Sequence, residues 1–459
     1  MLEKGGEPQM SRHGITRREA LKLGVAAAAA TAFPLVHVRT SGAAGKLSIG
    51  FWDHWVPAGN DAMRKQVNAW AQKNKVDVSM DFITTVGNKN LLTLAAEAQA
   101  KTGHDVQTFP TWEVGNHAQD LAPVDDVMGA LEKQYGKVNE VCEYLAKEKG
   151  HWLAVPSSAG TQYKPSCARI SFFQKHDLDV RAMYPARDER TALADKWTWD
   201  TLLRYAEPAY KENLPFALGL GQTTDCVDWV GALFRSYGAE LVDAKGNITV
   251  KSDAVKQALA YLVKLAKFLP GEVYSYDDAS NNRALISGKT ALIFNPPSAW
   301  AVAKRDNPAI AADCWTFPPP AGPKGRFNPY LPYFWGIWSF SPNQSAAKEL
   351  IAYLCQREQV EQRDNAVDGY DIPPFLSMSD FKIWSEVEPP RGTVYNYPIR
   401  PVHNTTPSIA AYPAPRAIAV QIYNRATMTT MVAKMTQGGQ TMDQVLAWAQ
   451  DELEGFTRM

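Results

Sequence analysis

Past residue 44 the chain alternates short apolar runs with amphipathic stretches. Residues 46–51 alternate with the two-residue period of a strand. Residues 60–73 carry apolar positions at the 3.6-residue period of a helix, 76–83 read as a second strand, 88–101 as a second helix and 105–108 as a third strand. Strands interleaved with helices of this length predict βαβ units and a largely parallel sheet. Residues 152–156 and 168–172 then read as consecutive strands on either side of the polar stretch 157–165, a crossing between two lobes.

A second α/β region follows. Thr198 is placed to cap a helix over 199–210, 216–220 is a strand, and a helix starts near Asp225 and stops by Gly238. Residues 241–250 predict a hairpin with Lys245-Gly246-Asn247 at its tip. Ser252 caps an amphipathic helix to residue 268. A helix over 278–287 ends at Gly288, a residue suited to the left-handed position after a helix. Residues 290–295 predict a short strand, the Pro- and Gly-rich 318–332 a loop, and 333–340 an aromatic strand. Helices are expected over 345–355, 360–367, 418–437 and 441–455.

The length, 459 residues, suits two or three domains, and 45% apolar with 21% charged residues is ordinary globular composition. Lys+Arg and Asp+Glu balance at 48 each with no basic stripe, which argues against a nucleic-acid partner. The first 44 residues differ in kind. Thr16-Arg17-Arg18-Glu19-Ala20-Leu21-Lys22 resembles the twin-arginine export motif, with Ala20 where Phe is common. An Ala- and Val-rich stretch and the small residues Ser41-Gly42-Ala43-Ala44 follow, in the order of a signal peptide. The apolar stretch is too short to span a bilayer. No Cys lies near the cleavage region for lipid attachment, so a free protein in the periplasm is expected. Removing the segment leaves 42 basic against 45 acidic residues. The five cysteines form no CxxC pair, and their pairing is not readable from sequence; most are expected to be buried thiols.

Enzyme signatures are missing. Gly288-Lys289-Thr290 resembles the end of a phosphate loop, but Arg283 stands where that loop needs Gly. Gly219-Leu220-Gly221 opens like a dinucleotide fingerprint, but Thr224 occupies the third Gly position. The eight His show no zinc-protease spacing. The pairs Asp125-Asp126 and Asp277-Asp278 sit at helix starts, where a carboxylate favours the positive dipole end. No catalytic residue, metal or cofactor is therefore expected. Aromatic residues are the positive signal. Of 14 Trp, several fall just past predicted strands: Trp52, with His54 and Trp55; Trp112, with Glu113; Trp300; and Trp335 within an aromatic strand. Ligands of open α/β sheets lie beyond the carboxyl ends of the strands. Flat rings suit the C–H faces of a pyranose, while Asp, Glu, Asn and Gln bond hydroxyls. Trp70, Trp384 and Trp448 lie in helical patterns and read as packing.

Several segments then resemble one family. Gly150-His151-Trp152-Leu153-Ala154-Val155-Pro156, Trp197-Thr198-Trp199-Asp200-Thr201-Leu202 and Ser287-Gly288-Lys289-Thr290-Ala291-Leu292 are similar, in order and spacing, to segments of bacterial extracellular solute-binding proteins of family 1, the maltodextrin-binding class. So are residues 344–362 and 438–453. Arg169-Ile170-Ser171-Phe172 departs from that family's usual Tyr-Asn pair. The resemblance implies an α/β fold of periplasmic-binding-protein type II, with two discontinuous lobes, 45–157 with 293–335 and 158–292 with 336–459, and a hinged cleft. It implies a monomer that captures a sugar or polyol and docks on the permease subunits of an ABC importer. The ligand contacts expected are Trp52, Asp53, His54, Trp112, Glu113, Ser158, Gln162, Gln222, Asp225, Asn295, Trp300 and Trp335. The rivals are a Tat-exported periplasmic enzyme, which would carry metal or a chromophore, and a sensory adaptor that binds the same ligand for a receptor.

Overall fold

The computed structural model describes residues 45–458, so the expected signal segment 1–44 lies outside the described residues. The first strands appear where the two-residue period placed them: β1 (Lys46–Trp52), β2 (Asp77–Ile83) and β3 (Val106–Pro110). β1 pairs in parallel with both neighbours, from Lys46 opposite Asp77 to Trp52 opposite Ile83 on one side and Ile49 opposite Val106 on the other. Parallel neighbours require a crossover, and the helices Ala58–Asn74 and Lys89–Ala100 supply it. The first buries Met63, Val67 and Trp70 and stops at Lys75 in a left-handed conformation, φ 57°.

The chain continues through β4 (Lys147–Glu148), β5 (His151–Trp152), β6 (Ala154–Tyr163) and β7 (Ser166–Arg169), then β8 (Leu292–Phe294), β9 (Cys314–Phe317), β10 (Ala321–Gly322), β11 (Gly325–Ile337) and β12 (Thr406–Ser408). The large sheet runs β10-β11-β3-β1-β2, with β6 and β12 also paired to β11. A second sheet has the order β8-β7-β9. β6 and β11 are the two longest strands of the large sheet, and their pairing is broken. Leu331 faces Gln162 and Tyr333 faces Ser157, so residues 158–161 loop out opposite Pro332. Proline has no N–H to give a ladder, and Pro332 sits at the break in the β6–β11 pairing. Gly160 within the loop has φ 90°, and a Cβ there would meet the Tyr333 ring at 2.4 Å.

Several expectations change. The Pro- and Gly-rich stretch 318–332, expected as loop, is largely strand, because Pro329 and Pro332 contribute carbonyls: Pro329 O accepts from Lys164 N and Pro332 O from Thr111 N, both at 3.0 Å. Residues 216–220 form no strand. Ala217 N reaches Leu292 O and Leu220 N reaches Val273 O, partners too scattered for a ladder. The strand expected over 168–172 ends at Arg169, and Ile170–Lys175 is a helix. The helix expected over 418–437 is two, Arg416–Asn424 and Thr427–Thr436, separated by Ala426 at φ 50°. Packing also crosses the expected lobe boundaries. β8 and β9, within or beside 293–335, pair with β7 and not with the first sheet. The helices Gln344–Leu354 and Arg357–Ala366 lie on Ala58–Asn74, where Arg363 Nη1 donates to Gln66 Oε1 at 2.6 Å and Gln66 Nε2 donates to Gln359 O at 2.9 Å.

The caps expected at Thr198 and Ser252 form, each hydroxyl accepting from the backbone N–H three residues on, Thr201 N at 3.2 Å and Val255 N at 3.4 Å. All five cysteines are free and buried. His403 is also buried, with Nδ1 accepting from Arg400 N at 3.1 Å and Nε2 3.1 Å from Asn396 Oδ1. Burial, and then the Arg400 charge, pushes its imidazole pKa down to about 3. The folded value lies below the unfolded one, about 6.5, so the neutral ring's contribution is complete above that pH. It is lost as pH falls from 6.5 towards 3. The unfolding free energy is expected to drop by up to about 1.4 kcal/mol per pH unit from this residue. Urea denaturation from pH 7 to pH 4, with His403→Gln alongside, measures it; equal pH slopes in the two proteins would show that the ring does not titrate in this way.

Candidate functional site

Two groups of side chains stand out, one of them at the carboxyl end of β1, where Trp52 and His54 lie. The first is aromatic. Trp52 lies 5.1 Å from Tyr333 edge-on, 4.8 Å from His54 and 6.4 Å from Tyr370 in a stack. His54 Nδ1 accepts from Val56 N at 2.9 Å, so the ring proton sits on Nε2, which donates to Asp371 Oδ1 at 3.1 Å. Asp371 Oδ1 also accepts from Gly160 N at 3.0 Å, which ties this group to the looped-out segment of β6. Tyr370 OH donates to Gln162 Oε1 at 2.6 Å, and Arg363 Nη2 donates to Ser158 Oγ at 3.0 Å. Between these groups a small cavity is lined by Trp52, His54, Asn60, Trp335, Arg363 and Asp371 among others.

The second group is ionic. Lys164, buried just past β6, donates to Asp225 and, at 2.6 Å, to Asp228 Oδ2. Both carboxylates lie in the first turns of helix Thr224–Tyr237, at a three-residue spacing that puts them on one face. Asn281 Nδ2 donates to the second Asp225 oxygen at 3.0 Å, and Tyr423 OH to Asp228 Oδ1 at 2.8 Å. Burial lifts the Asp225 pKa to about 6 against the pull of Lys164, and it also raises that of Asp228. Burial alone would lower the Lys164 pKa, but the charges of Asp225, Asp228 and Asp278 raise it and hold the ammonium charged.

Trp112 and Glu113 join the groups. Trp112 is buried with its ring 5.6 Å from Tyr144 and 6.2 Å from Tyr423. Glu113 accepts from Asn116 Nδ2 at 3.0 Å, lies 3.5 Å from His117 Nε2, and meets Asn424 Nδ2 at 3.5 Å. Seven buried tryptophans give their indole N–H to a protein acceptor: Trp197, Trp199, Trp229, Trp300, Trp315, Trp338 and Trp384. Trp52 and Trp112 are buried, and their N–H groups have no partner among the described residues. A buried donor left unpaired costs about 1–3 kcal/mol.

Of the remaining candidates, Trp335 lines the same cavity as Trp52 and His54 and Asp53 borders it through Asn60, whereas Asn295, Gln222 and Trp300 lie outside that lining. Asp53 is half-buried and accepts from Asn60 Nδ2 at 2.7 Å. Asn295 is buried, its N–H given to Pro165 O and its amide to Asn282. Gln222 is exposed. Trp335 stands edge-on to Phe51 at 5.9 Å, with Arg363 5.7 Å from its ring centre. Trp300 is fully buried, and its N–H donates to Pro389 O at 2.8 Å, a packing role that leaves no polar edge for a ligand. Lys164, Asp228, Tyr333, Tyr370 and Tyr423 were not singled out from the sequence. The Asp225–Asp228 spacing was a usable signal; Tyr423, in the helical run near the C-terminus, offered none.

Comparison with known proteins agrees with this architecture. The family model of the bacterial extracellular solute-binding proteins matches residues 56–389. Sequence comparison with curated proteins finds no relative. Among solved structures, the chain is similar to a maltose-bound protein of T. maritima, with TM-score 0.71, 18% identity and coverage of 90% of this chain and 99% of that one. It is similar to a tagatose-bound ABC transporter solute-binding protein of Thermotoga lettingae, with TM-score 0.70, 16% identity and coverage of 90% and 99%. A sugar transporter from Arthrobacter chlorophenolicus with bound laminaribiose gives 0.68, 18%, 90% and 99%. At these identities the likeness establishes the periplasmic-binding-protein fold.

Proposed function

Because the chain belongs to the bacterial extracellular solute-binding proteins, we propose that it captures a neutral sugar or polyol and delivers it to the permease of an ABC importer. The family is one of binding proteins, and no covalent step is required. The observation that carries the reading is the pair of buried, unpartnered indole N–H groups of Trp52 and Trp112, set at the carboxyl ends of two parallel strands. Hydroxyl oxygens of a sugar would accept from both, and the rings would cover its C–H faces. Glu113, Asp225 and Gln162 supply acceptors nearby. The relatives with this fold that hold maltose, tagatose and laminaribiose support the class of ligand.

In this reading the two sheets belong to two lobes, with β6 and β11 as the crossing strands and 158–161 with Pro332 as the hinge. Ligand shifts the population towards the closed form by binding it more tightly than the open one. The protein acts as a monomer in the periplasm after export by the twin-arginine pathway. Thermal-shift screening of the protein against maltose, laminaribiose, tagatose, polyols, amino acids and phosphate esters tests the ligand class. At a hundredfold excess over Kd a true ligand adds about 2.7 kcal/mol of stability. Stabilisation by amino acids or phosphate esters alone would overturn the reading. Stoichiometric metal or a chromophore in the purified protein would favour an enzyme instead.

A further inference from the structure

Thr111 sits between Pro110, the last residue of β3, and Trp112, and it adopts φ 43°. That is the left-handed region, where a β-branched side chain crowds its own backbone. The other non-glycine residues there are Lys, Asn, Asp and Ala; Thr111 is the one β-branched residue among the described ones. It is also buried. Its backbone N–H donates to Pro332 O at 3.0 Å, so the strained residue is pinned to β11 where the β6–β11 register breaks. The next residue along β11 is Tyr333, which packs edge-on to Trp52, and its N–H is held by Thr161 Oγ1 at 2.9 Å. Strain of this kind persists only where the surroundings over-determine it.

We propose that Thr111 is a positioning residue: its left-handed backbone, anchored on Pro332, turns the chain out of β3 and fixes the Trp112 indole with its N–H free for ligand. An unstrained turn would let the loop relax, and the Trp112 ring would sample other contacts between Tyr144 and Tyr423. The same anchor links Trp112 to the break in the crossing strands, so a bend there shifts the indole with it. The proposal rests on the sugar-binding reading for its consequence in affinity, but its structural core does not.

The test uses the protein labelled with 5-fluorotryptophan, in which Trp112→Phe and Trp52→Phe assign the two fluorine resonances. Thr111→Gly removes the strain and frees the backbone; Thr111→Asn keeps a residue that tolerates the left-handed region. The expected result is that Thr111→Gly shifts or broadens the Trp112 resonance, leaves that of Trp52 in place and does not lower the apo melting temperature. Thr111→Asn should keep the wild-type spectrum. Titration with maltose and laminaribiose should show about tenfold weaker binding in Thr111→Gly, and no further loss when Trp112→Phe is already present. An unchanged Trp112 resonance in Thr111→Gly overturns the proposal, as does additive loss in the double variant. A changed resonance in a protein that binds no sugar overturns the sugar-binding reading and leaves the positioning role standing.

Discussion

Replacing Lys164 with methionine is expected to lower the unfolding free energy by about 3–5 kcal/mol at pH 8, the range found when one partner of a buried ion pair is removed. Lys164 is almost completely buried and is the shared partner of Asp225 and Asp228. Methionine fills most of the volume and supplies no charge, so a buried carboxylate, Asp228, and a partly buried one, Asp225, would lose their counter-ion. The loss should shrink towards pH 5. Asp225 already has its pKa lifted to about 6 by burial, and removing the cation raises it further. Protonation then neutralises it at little cost. In the wild-type protein the sign for Asp225 alone is the same. Its folded pKa exceeds the unfolded value, so its contribution is complete below about pH 4 and is lost as pH rises through 6. Urea denaturation of both proteins at pH 5, 6.5 and 8 checks this, and a pH-independent difference would mean that lost packing and not charge is responsible.

The second large effect separates two tryptophans that the sequence placed together. Trp300→Ala is expected to cost about 3–5 kcal/mol of stability, because a fully buried ring is deleted and the Pro389 carbonyl loses its donor. Sugar affinity, measured at a temperature where the variant stays folded, should be kept. Trp112→Phe should do the reverse: an aromatic ring remains, the N–H is gone, and binding weakens about tenfold, or about 1.4 kcal/mol. Calorimetric titration with maltose and laminaribiose, paired with melting curves, reads both. Lost affinity in folded Trp300→Ala would return that residue to the binding site.

The βαβ opening was legible because each period was clean: 46–51, 76–83 and 105–108 lie within a residue or two of β1, β2 and β3. Local signals failed where tertiary partners decide the outcome. Pro329 and Pro332 read as loop, yet a strand accepts them because their carbonyls are used and their missing N–H groups are not needed. Residues 216–220 have the apolar run of a strand but find no continuous partner edge. The break at Ala426 carries no Gly or Pro to announce it. In the candidate site, ring position past a strand singles out Trp52 and Trp112 together with Trp300. What sets Trp300 apart in the structure is one hydrogen bond to a carbonyl 89 residues away, which no local pattern announces. Lys164 was invisible for a similar reason: its partners lie 61 and 64 residues further along the chain.

The five buried thiols give the protein an internal gauge of its own opening. Burial pushes the pKa of Cys142 and Cys355 up to about 12 and that of Cys226 to about 11, so in the native state these are thiols and not thiolates. A sulfhydryl reagent attacks the thiolate, and here it must wait for the chain to expose one. The sites are spread across the molecule: Cys142 in helix Glu140–Ala146, Cys167 and Cys314 on neighbouring strands of the small sheet, Cys226 beside Asp225, and Cys355 at the end of helix Gln344–Leu354. Mass spectrometry of the order in which they are alkylated would therefore time the local breathing of each region, with no probe added to the sequence.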